Sequence, residues 1–302
     1  MLDAECIIFP GGSPRAASTI SGIATIARCT PRPAYTGTKE VVFMWGPGGA
    51  QQQKIMQEHR KQGGTVIFFD LGYFHRYAGA KNCVRMSIND PHPSPKMMKL
   101  VSDDRWPSYG IQLSNIGSPD GDILLCGTGG KSRTQYGYIG PEWENRKVRA
   151  IQNEYPTKKI YYRPKPGNTE TIAYTIDASE GGIEQQLAGK SLVVCHHSNV
   201  AVDCAIYGVE CVSSAGIGMA LGPLPTVEER LKFLSFVANF NWRVTESQGC
   251  YNFINDNFEL IKKLGRKDET TSSLWQTRIG RVHQPGHGNA SKGSSHARTL
   301  RR

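Results

Sequence analysis

The chain has 302 residues, of which 38% are hydrophobic, and a formal net charge of +10 at pH 7. A chain of this length can bury one large core or two medium ones. No apolar run approaches the roughly 20 residues of a membrane span, and the chain begins with acidic residues where a secretory signal is basic. We therefore expect a cytoplasmic protein with no membrane partner.

The eight cysteines are scattered along the chain without a C-x-x-C pair, at positions 6, 29, 83, 126, 195, 204, 211 and 250. Several of them fall inside strand-like runs. We therefore expect reduced cysteines in the core, and we predict neither a zinc site nor a disulfide framework.

Three strand-like runs near the start of the chain each lead into a glycine-containing loop. These strands are predicted over 6–9, 40–45 and 65–70, with helices over 16–27 and 50–62. Strands that alternate with helices indicate an α/β protein. This segment is expected to form one Rossmann-like half.

Asp70 closes the third of these strands. Ligands of open α/β sheets bind beyond the carboxyl ends of the strands, which makes Asp70 a candidate catalytic residue. A cap of the next turn is the alternative interpretation. A further strand from Val84 ends in Asp90 and His92, and we expect this second polar cluster to lie near the first.

The stretch from Gly127 to Ser132 reads G-T-G-G-K-S and follows a strand predicted over 122–126. A P-loop has the pattern G-x-x-x-x-G-K-S, and its first glycine would stand where this chain has Leu125. The favoured interpretation is a glycine-rich donor loop that opens a second Rossmann-like half. Gly127, Gly129 and Ser132 would then lie near a phosphate.

Arg163 and Lys165 follow a strand predicted over 158–162 and alternate with two prolines. The prolines hold this exit extended, so both cations are expected at the carboxyl edge of the second sheet. An arginine in this position can bind phosphate through two parallel hydrogen bonds. A solvated basic loop is the alternative.

The stretch 192–214 predicts a strand, a capped turn, a helix and a further strand. Ser198 or Asn199 stands at the N-cap of the helix, which is predicted over 200–207. The N-terminus of such a helix is partly positive and carries unpaired donors. The turn, including His197, is therefore a candidate pyrophosphate site. The alternative is an ordinary βαβ unit that binds nothing.

Asp203 lies four residues after Asn199, on the helix face that overlooks this turn, where a carboxylate can accept two ribose hydroxyls. From Asp203 onward the sequence resembles the donor-binding helix of GT-B glycosyltransferases, which has the form E-A-x-x-x-G-x-P. Asp203, Cys204 and Gly208 stand at the acidic, small and glycine positions, and Glu210 replaces the proline.

Two helices are predicted near the C-terminus, one from Thr226 with Glu229 in a capping box and one over 242–254. From residue 270 the composition shifts to Ser, Gly, His and Arg, which indicates a flexible tail. The chain from residue 262 onward has ten basic and two acidic residues, which is eight of the ten net positive charges. Such a segment favours binding to DNA phosphates. The predicted DNA-binding residues are Arg76, Lys262, Lys263, Arg266, Lys267, Arg278 and Arg281.

The combination of D-L-G-Y at 70–73, S-I-N-D-P-H-P at 87–93 and R-P-K-P at 163–166 resembles glycosyltransferases encoded by bacteriophages. Some relatives of that kind put sugars on hydroxymethylated pyrimidines of phage DNA. The resemblance implies the GT-B fold, in which two Rossmann-like domains face a cleft and C-terminal helices return across both. The implied divisions are an acceptor domain over 1–118, a donor domain over 119–225, the helices over 226–265 and the basic tail over 266–302.

The implied activity is transfer of a hexose or pentose from a nucleotide sugar, with a UDP-sugar as the first choice, to a hydroxyl of double-stranded DNA. No metal is strictly required. An inverting reaction needs a general base, for which Asp70 is preferred, followed by Asp90 or His92. A retaining reaction does not need that base in the same place, and the sequence leaves both mechanisms open. The predicted donor-binding residues are Gly127, Gly129, Ser132, Arg163, Lys165, His197, Ser198, Asn199 and Asp203.

Two alternatives compete with this hypothesis. The first is a glycosyltransferase that acts on a surface polysaccharide or a small molecule. The second is a nucleic-acid-binding protein without catalytic activity.

Overall fold

Apolar runs and glycine-containing turns alternate along the chain and form two five-stranded sheets. The computed structural model describes residues 1–46, 49–76, 79, 82–100, 102, 104–222 and 225–264. The strands are β1 (Ala4–Ile7), β2 (Val41–Trp45), β3 (Thr65–Leu71), β4 (Cys83–Ile88), β5 (Ile123–Cys126), β6 (Ile160–Arg163), β7 (Ile176–Asp177), β8 (Leu192–Cys195), β9 (Glu210–Ser213) and β10 (Asn241–Arg243).

The α-helices lie between and after these strands. They are α1 (Pro14–Ala27), α2 (Ala50–Lys61), α3 (Gly130–Tyr136), α4 (Glu142–Glu154), α5 (Ile183–Leu187), α6 (Val200–Tyr207), α7 (Val227–Asn239), α8 (Ser247–Asp256) and α9 (Phe258–Leu264). Short 3-10 helices cover Pro95–Leu100, Trp106–Tyr109, Ile217–Ala220 and Val244–Glu246.

The second sheet is entirely parallel and has the strand order β7-β6-β5-β8-β9. The chain starts in the middle at β5, builds outward through β6 and β7, then crosses back to β8 and β9. This is the doubly wound arrangement, and β5 and β8 flank its topological switch point. Ligands of such sheets bind beyond the carboxyl ends of the strands at that point, which locates the candidate site.

The first sheet has the order β1-β2-β3-β4-β10 and is mixed. Its first three strands are parallel, as predicted for a Rossmann-like half, whereas β4 is antiparallel to β3 and β10 is antiparallel to β4. Because β4 runs backward, its end at Asn89 lies beside Val66, at the edge opposite Asp70. The end of β4 itself is therefore not close to Asp70.

The helix predicted over 242–254 is wrong at its start. Asn241 to Arg243 form strand β10, and α8 begins only at Ser247. Long-range contacts decide this outcome: Trp242 pairs with Val84 in the sheet, and the Arg105 guanidinium lies 3.7 Å from the centre of the Trp242 ring. Local apolar spacing contains no information about such partners.

The C-terminal segment connects both halves. Helix α7 packs on α6 of the second half, β10 extends the first sheet, and α8 packs on α1. One apolar core cluster runs through both halves, with Phe43 and Val193 among its buried members. The predicted domain boundaries stay predictions. All eight cysteines are free thiols, seven of them buried, as expected for reduced core residues.

Within the described ranges, no helix combines the length and the apolar content that crossing a bilayer requires.

Replacing Thr226 by Ala should destabilise the protein through the start of α7. The Thr226 hydroxyl accepts from the Glu229 backbone N–H at 3.2 Å, and the Glu229 carboxylate accepts from the Thr226 N–H at 2.8 Å. We expect the free energy of unfolding to fall by about 1 kcal/mol in urea denaturation. Thr169→Ala, at an exposed position outside the helices, is the matched control. Equal losses in the two variants would contradict the capping role.

Candidate active site

The carboxyl ends of β5, β6 and β8 lie side by side at the switch point. Cys126 at the end of β5 is in register with Arg163 on one side and with Cys195 on the other. The glycine-rich loop, the basic exit of β6 and the turn before α6 therefore leave the sheet next to one another. The structure thus brings together the segments that carry the predicted donor-binding residues.

Hydrogen bonds to the backbone of β6 and to buried side chains hold the glycine-rich loop after β5 in place. The Gly127 N–H donates to the Arg163 carbonyl at 2.9 Å. The Thr128 N–H and hydroxyl both donate to one oxygen of Glu144, at 2.8 and 2.7 Å, and Arg133 donates to the same carboxylate at 3.1 Å. Glu144 is fully buried. Sequence reasoning missed this carboxylate, although a glutamate on the apolar face of α4 was a usable signal.

Gly129 lets the basic exit of β6 approach this loop. A Cβ atom at Gly129 would lie 3.3 Å from Cγ of Lys165, which is tighter than an ordinary van der Waals contact. The absence of a side chain at Gly129 thus allows Lys165 to lie against the loop.

Asn199 stands at the N-cap position of α6, and the turn before the helix is closed by Ser198. Its hydroxyl accepts from the Val200 N–H at 3.2 Å, and backbone carbonyls of the turn accept from the next two N–H groups. These N–H groups are therefore occupied inside the turn. The partial positive charge of the helix dipole remains at this end of α6 and attracts anions. Asn199 does not cap the helix with its side chain. Gly208 ends α6 with a φ of 68°, which glycine adopts readily.

Arg85 of β4 bridges the two halves of the protein. One of its guanidinium nitrogens donates to Asp70 at 2.8 Å, and another donates to the side-chain oxygen of Asn199 at 3.0 Å. The guanidinium also lies 5.5 Å from the centre of the Tyr73 ring. Arg85 was not predicted as a site residue. Its signal was a charged residue inside the apolar run C-V-R-M-S-I, where a buried charge needs a partner.

Asp203 lies on α6 where the charges of Arg76 and Arg163 reach it. Burial raises the pKa of Asp203 from its ordinary value of 3.8 to about 6, and these two arginines oppose the rise. The carboxyl group is thus poorly hydrated and stays protonated at a higher pH than an exposed aspartate. That Asp203 binds ribose hydroxyls stays a prediction.

Lys165 adds a further positive charge at this place. Desolvation lowers the pKa of Lys165, and the neighbouring charges of Arg76 and Arg85 lower it further. The Lys165 side chain is nonetheless exposed to solvent. The charges of Arg76 and Arg85 thus act on Lys165, and those of Arg76 and Arg163 act on Asp203. We call the region that these four cations share with the carboxyl groups of Asp70 and Asp203 the cleft.

His92 reaches the same cleft, although β4 ends at the opposite edge of the sheet. Its Nδ1 atom lies 3.1 Å from the Tyr73 hydroxyl, and its ring centre lies 6.0 Å from that of His197. Burial lowers the pKa of His92 well below its ordinary value, and the charge of Arg85 lowers it further. His92 is therefore a neutral, weakly basic group. Asp90 lies near Tyr136. Burial raises the pKa of Tyr136 to about 12, and the negative charge of Asp90 acts in the same direction.

A chain of hydrogen bonds runs from the glycine-rich loop through two adjacent histidines. The Ser132 hydroxyl lies 2.9 Å from Nε2 of His197, the Nδ1 atoms of His197 and His196 lie 3.1 Å apart, and Nε2 of His196 lies 3.1 Å from the Tyr138 hydroxyl. His197 and Ser132 were predicted as donor-binding residues. His196 and Tyr138 were not, because nothing local links positions 58 residues apart.

The predicted DNA-binding residues do not form one surface in the described part of the chain. Arg76 donates to the Tyr73 carbonyl and lies in the cleft. Lys262 lies on α9, where its ammonium is 2.6 Å from the Glu40 carboxylate. Lys263 is also on α9. Arg266, Lys267, Arg278 and Arg281 lie outside the described residues.

No group of three or more histidine, cysteine or acidic side chains in the described ranges is arranged to hold a metal ion. The expectation that no metal is strictly required stays a prediction.

Comparison of the sequence with known protein families and with curated proteins finds no match. Among solved structures, the chain is similar to a beta Kdo 2,4 transferase of KpsC from Thermosulfurimonas dismutans. The TM-score is 0.50 at 13% identity, covering 88% of this chain and 98% of that chain. It is also similar to a beta Kdo 2,7 transferase of KpsC from the same organism, with a TM-score of 0.53 at 11% identity over 83% of this chain and 99% of that chain.

The chain has the fold of these KpsC glycosyltransferases. This likeness covers 83% to 88% of this chain and nearly the whole of both solved chains. At this level of identity it shows the fold alone. It supports the predicted glycosyltransferase fold, and it carries no information about a phage origin or a DNA acceptor.

Asp203 should make the stability of the protein depend on pH. Its folded pKa is raised to about 6 from 3.8, so the folded state binds the proton more tightly. Asp203 contributes at most about 3 kcal/mol to the free energy of unfolding. This contribution is complete below about pH 4 and is lost as the pH rises through 6. Urea denaturation between pH 4 and 7 should show this contribution as the difference between the parent and Asp203→Asn, because the buried histidines, whose pKa values are lowered, contribute a slope of the opposite sign to both proteins. Asp120→Asn, at an exposed turn, should keep the contribution of Asp203; a slope unchanged in Asp203→Asn would refute the assignment.

Proposed function

We propose that this protein is a glycosyltransferase that moves a sugar from a nucleotide-sugar donor to a hydroxyl of a carbohydrate acceptor. The observation that carries the proposal is the convergence of Arg76, Arg85, Arg163 and Lys165 on the switch point of the second sheet, beside Asp203. A diphosphate supplies the negative charge that such a cluster of cations binds. The fold shared with glycosyltransferases supports the same activity.

The donor would lie across the ends of β5, β6 and β8. Arg163 and Lys165 would bind its diphosphate, and the positive end of α6 would stabilise the same charge. Asp203 would accept the ribose hydroxyls. As the bond to the sugar breaks, negative charge grows on the leaving diphosphate, and cations already in place stabilise it without reorganisation. A UDP-sugar remains the first donor to test.

The acceptor would approach from the first sheet, where Asp70 closes β3. In an inverting reaction the acceptor oxygen attacks the anomeric carbon, the bond from that carbon to the diphosphate oxygen breaks, and Asp70 takes the hydroxyl proton. Arg85 and the Leu71 N–H each donate to one Asp70 oxygen, both at 2.8 Å, which orients the carboxylate. Asp90 is the second candidate base. His92 is less suited because the environment that lowers its pKa makes it a weak base.

A carbohydrate acceptor is favoured over DNA by the names of the structural neighbours, since both are named for transfer of the sugar Kdo. DNA keeps one supporting observation, the eight net positive charges from residue 262 onward. The described part of that segment, α9, has one of its lysines paired with Glu40. The charge of the segment alone cannot identify an acceptor.

The deciding experiment incubates the full chain with UDP-, GDP- and CMP-sugars in the presence of oligosaccharides or of hydroxymethylated DNA, and detects products by mass spectrometry. Glycosylated oligosaccharide is expected. Glycosylated DNA would revive the other acceptor class, and hydrolysis or binding without any transfer would overturn the proposed activity. Deleting residues 270–302 tests the tail separately. If four of its cations contact phosphates, the slope of log affinity for DNA against log salt should become shallower by about 3 to 4.

Arg163→Ala should weaken binding of the nucleotide-sugar donor. The variant loses a charge-assisted hydrogen bond to the diphosphate, worth about 1.5–3 kcal/mol, so the dissociation constant should rise by roughly 10- to 150-fold in calorimetry. Arg149→Ala, which removes an exposed arginine from α4, is the matched control and should bind like the parent. Equal affinities for all three proteins would exclude Arg163 from the donor site.

Asp70→Asn should lower turnover by about a hundredfold or more while donor affinity stays close to that of the parent. The amide keeps the side-chain shape and can still accept from Arg85, but it cannot take the acceptor proton. Steady-state kinetics and donor calorimetry on the same preparation separate the two effects. Near-normal turnover would shift the role to Asp90 or indicate a retaining mechanism.

A further inference from the structure

The hydrogen-bonded chain Ser132–His197–His196–Tyr138 has a property that the proposed reaction does not use. Its central contact joins the Nδ1 atoms of the two histidines at 3.1 Å. A hydrogen bond there requires a proton on one Nδ1 atom and a lone pair on the other. The protonation of one imidazole therefore fixes the tautomer of its neighbour.

Both imidazoles are neutral at physiological pH. Burial lowers the pKa of His196 to about 4, with Lys147 as the next cause. Burial lowers the pKa of His197 to about 3, and His196, Lys165 and Arg85 lower it further. A neutral imidazole carries one N–H and one bare nitrogen. The hydrogen-bonded chain consequently has two arrangements. In one, every hydrogen bond runs from donor to acceptor in the direction away from Ser132, and in the other every hydrogen bond runs toward it.

In the outward arrangement, the Ser132 hydroxyl donates to Nε2 of His197, His197 donates from Nδ1 to His196, and His196 donates from Nε2 to Tyr138. Ser132 then presents only lone pairs to the cleft. In the inward arrangement, Tyr138 donates to His196, His196 donates from Nδ1 to His197, and His197 donates from Nε2 to the Ser132 oxygen. The Ser132 hydroxyl proton is then available to a ligand.

We propose that this chain is a switch of hydrogen-bond direction, and that a phosphate group bound at Ser132 sets it inward, so that His197, His196 and Tyr138 act as positioning residues for the donor. An ionised phosphate oxygen only accepts hydrogen bonds, so Ser132 must donate to it. Its own oxygen is then free to accept from His197. The proposal rests on the proposed function for the presence of a phosphate beside Ser132.

The hydrogen-bonded chain begins at Ser132, close to where the cations converge. This position supports an anion as the ligand of Ser132. The charges of Lys165 and Arg85 both act on His197, the partner of Ser132. Its other end is the half-buried Tyr138, which has the Arg146 guanidinium 5.2 Å from its ring centre. The hydroxyl of Tyr138 can donate or accept, so both arrangements keep every hydrogen bond.

The tautomers can be observed directly in the full chain labelled with ¹⁵N-histidine, with inorganic pyrophosphate as the ligand. Long-range proton–nitrogen spectra distinguish Nδ1–H from Nε2–H. With pyrophosphate bound, His197 should carry its proton on Nε2 and His196 on Nδ1. A complex in which His197 is protonated on Nδ1, or is cationic, overturns the proposal. So does the absence of any change with pyrophosphate.

A set of variants tests the coupling along the chain. Ser132→Ala and Tyr138→Phe should each weaken pyrophosphate binding by roughly three- to tenfold, and the double variant should be no weaker than Ser132→Ala alone. Tyr174→Phe, at a highly exposed position, is the matched control. Additive effects, or an unchanged Tyr138→Phe, overturn the proposal. If either variant fails to fold, the tautomers of the unmodified chain still decide.

Pyrophosphate carries no sugar, so this test is separate from the transfer assay. Tautomers that switch in a protein without transferase activity would overturn the proposed function and leave the switch in place. Transfer without the switch would do the reverse.

Discussion

The position of one buried guanidinium holds the two halves of the candidate site together. Arg85 is 9% exposed and donates to Asp70 of the first sheet and to Asn199 at the start of α6. Losing Asp70 would leave the buried charge unpaired, and losing Asn199 would leave one guanidinium nitrogen without its acceptor. The candidate base Asp70 and helix α6 are therefore not independent elements. Each is fixed against the other through a side chain that belongs to β4.

Local signals predicted the second half well. The helix predicted over 200–207 is α6, with the Ser198 hydroxyl accepting from the Val200 N–H at its start and Gly208 in the left-handed conformation at its end. Each of these features depends on residues only a few positions apart. The strand from Asn241 and the bridge from Arg85 depend instead on partners far along the chain. A periodicity argument has no access to such pairs, which is why 242–254 was wrongly predicted as one helix.

The site was predictable to the extent that parallel strands determine it. Residues that follow β5, β6 and β8 must share one edge of the sheet, and this placed Arg163, Lys165 and Asp203 in one region from the sequence alone. Arg85 was not predictable in this way because β4 is antiparallel. Likewise, the contact between His196 and Tyr138 became visible only when the segment before α4 was placed against the turn after β8.

Strand β10 is made late in the synthesis of the chain, although it pairs with β4 from the first half. Asn241 of β10 is in register with Arg85 of β4, so the outer edge of β4 stays uncovered while the nascent chain is still growing. Contacts between residues so far apart form slowly, and an exposed strand edge can pair with another chain in the meantime. The strand that carries Arg85 is completed by almost the last described part of the protein. Until β10 is in place, β4 is the edge strand of the first sheet.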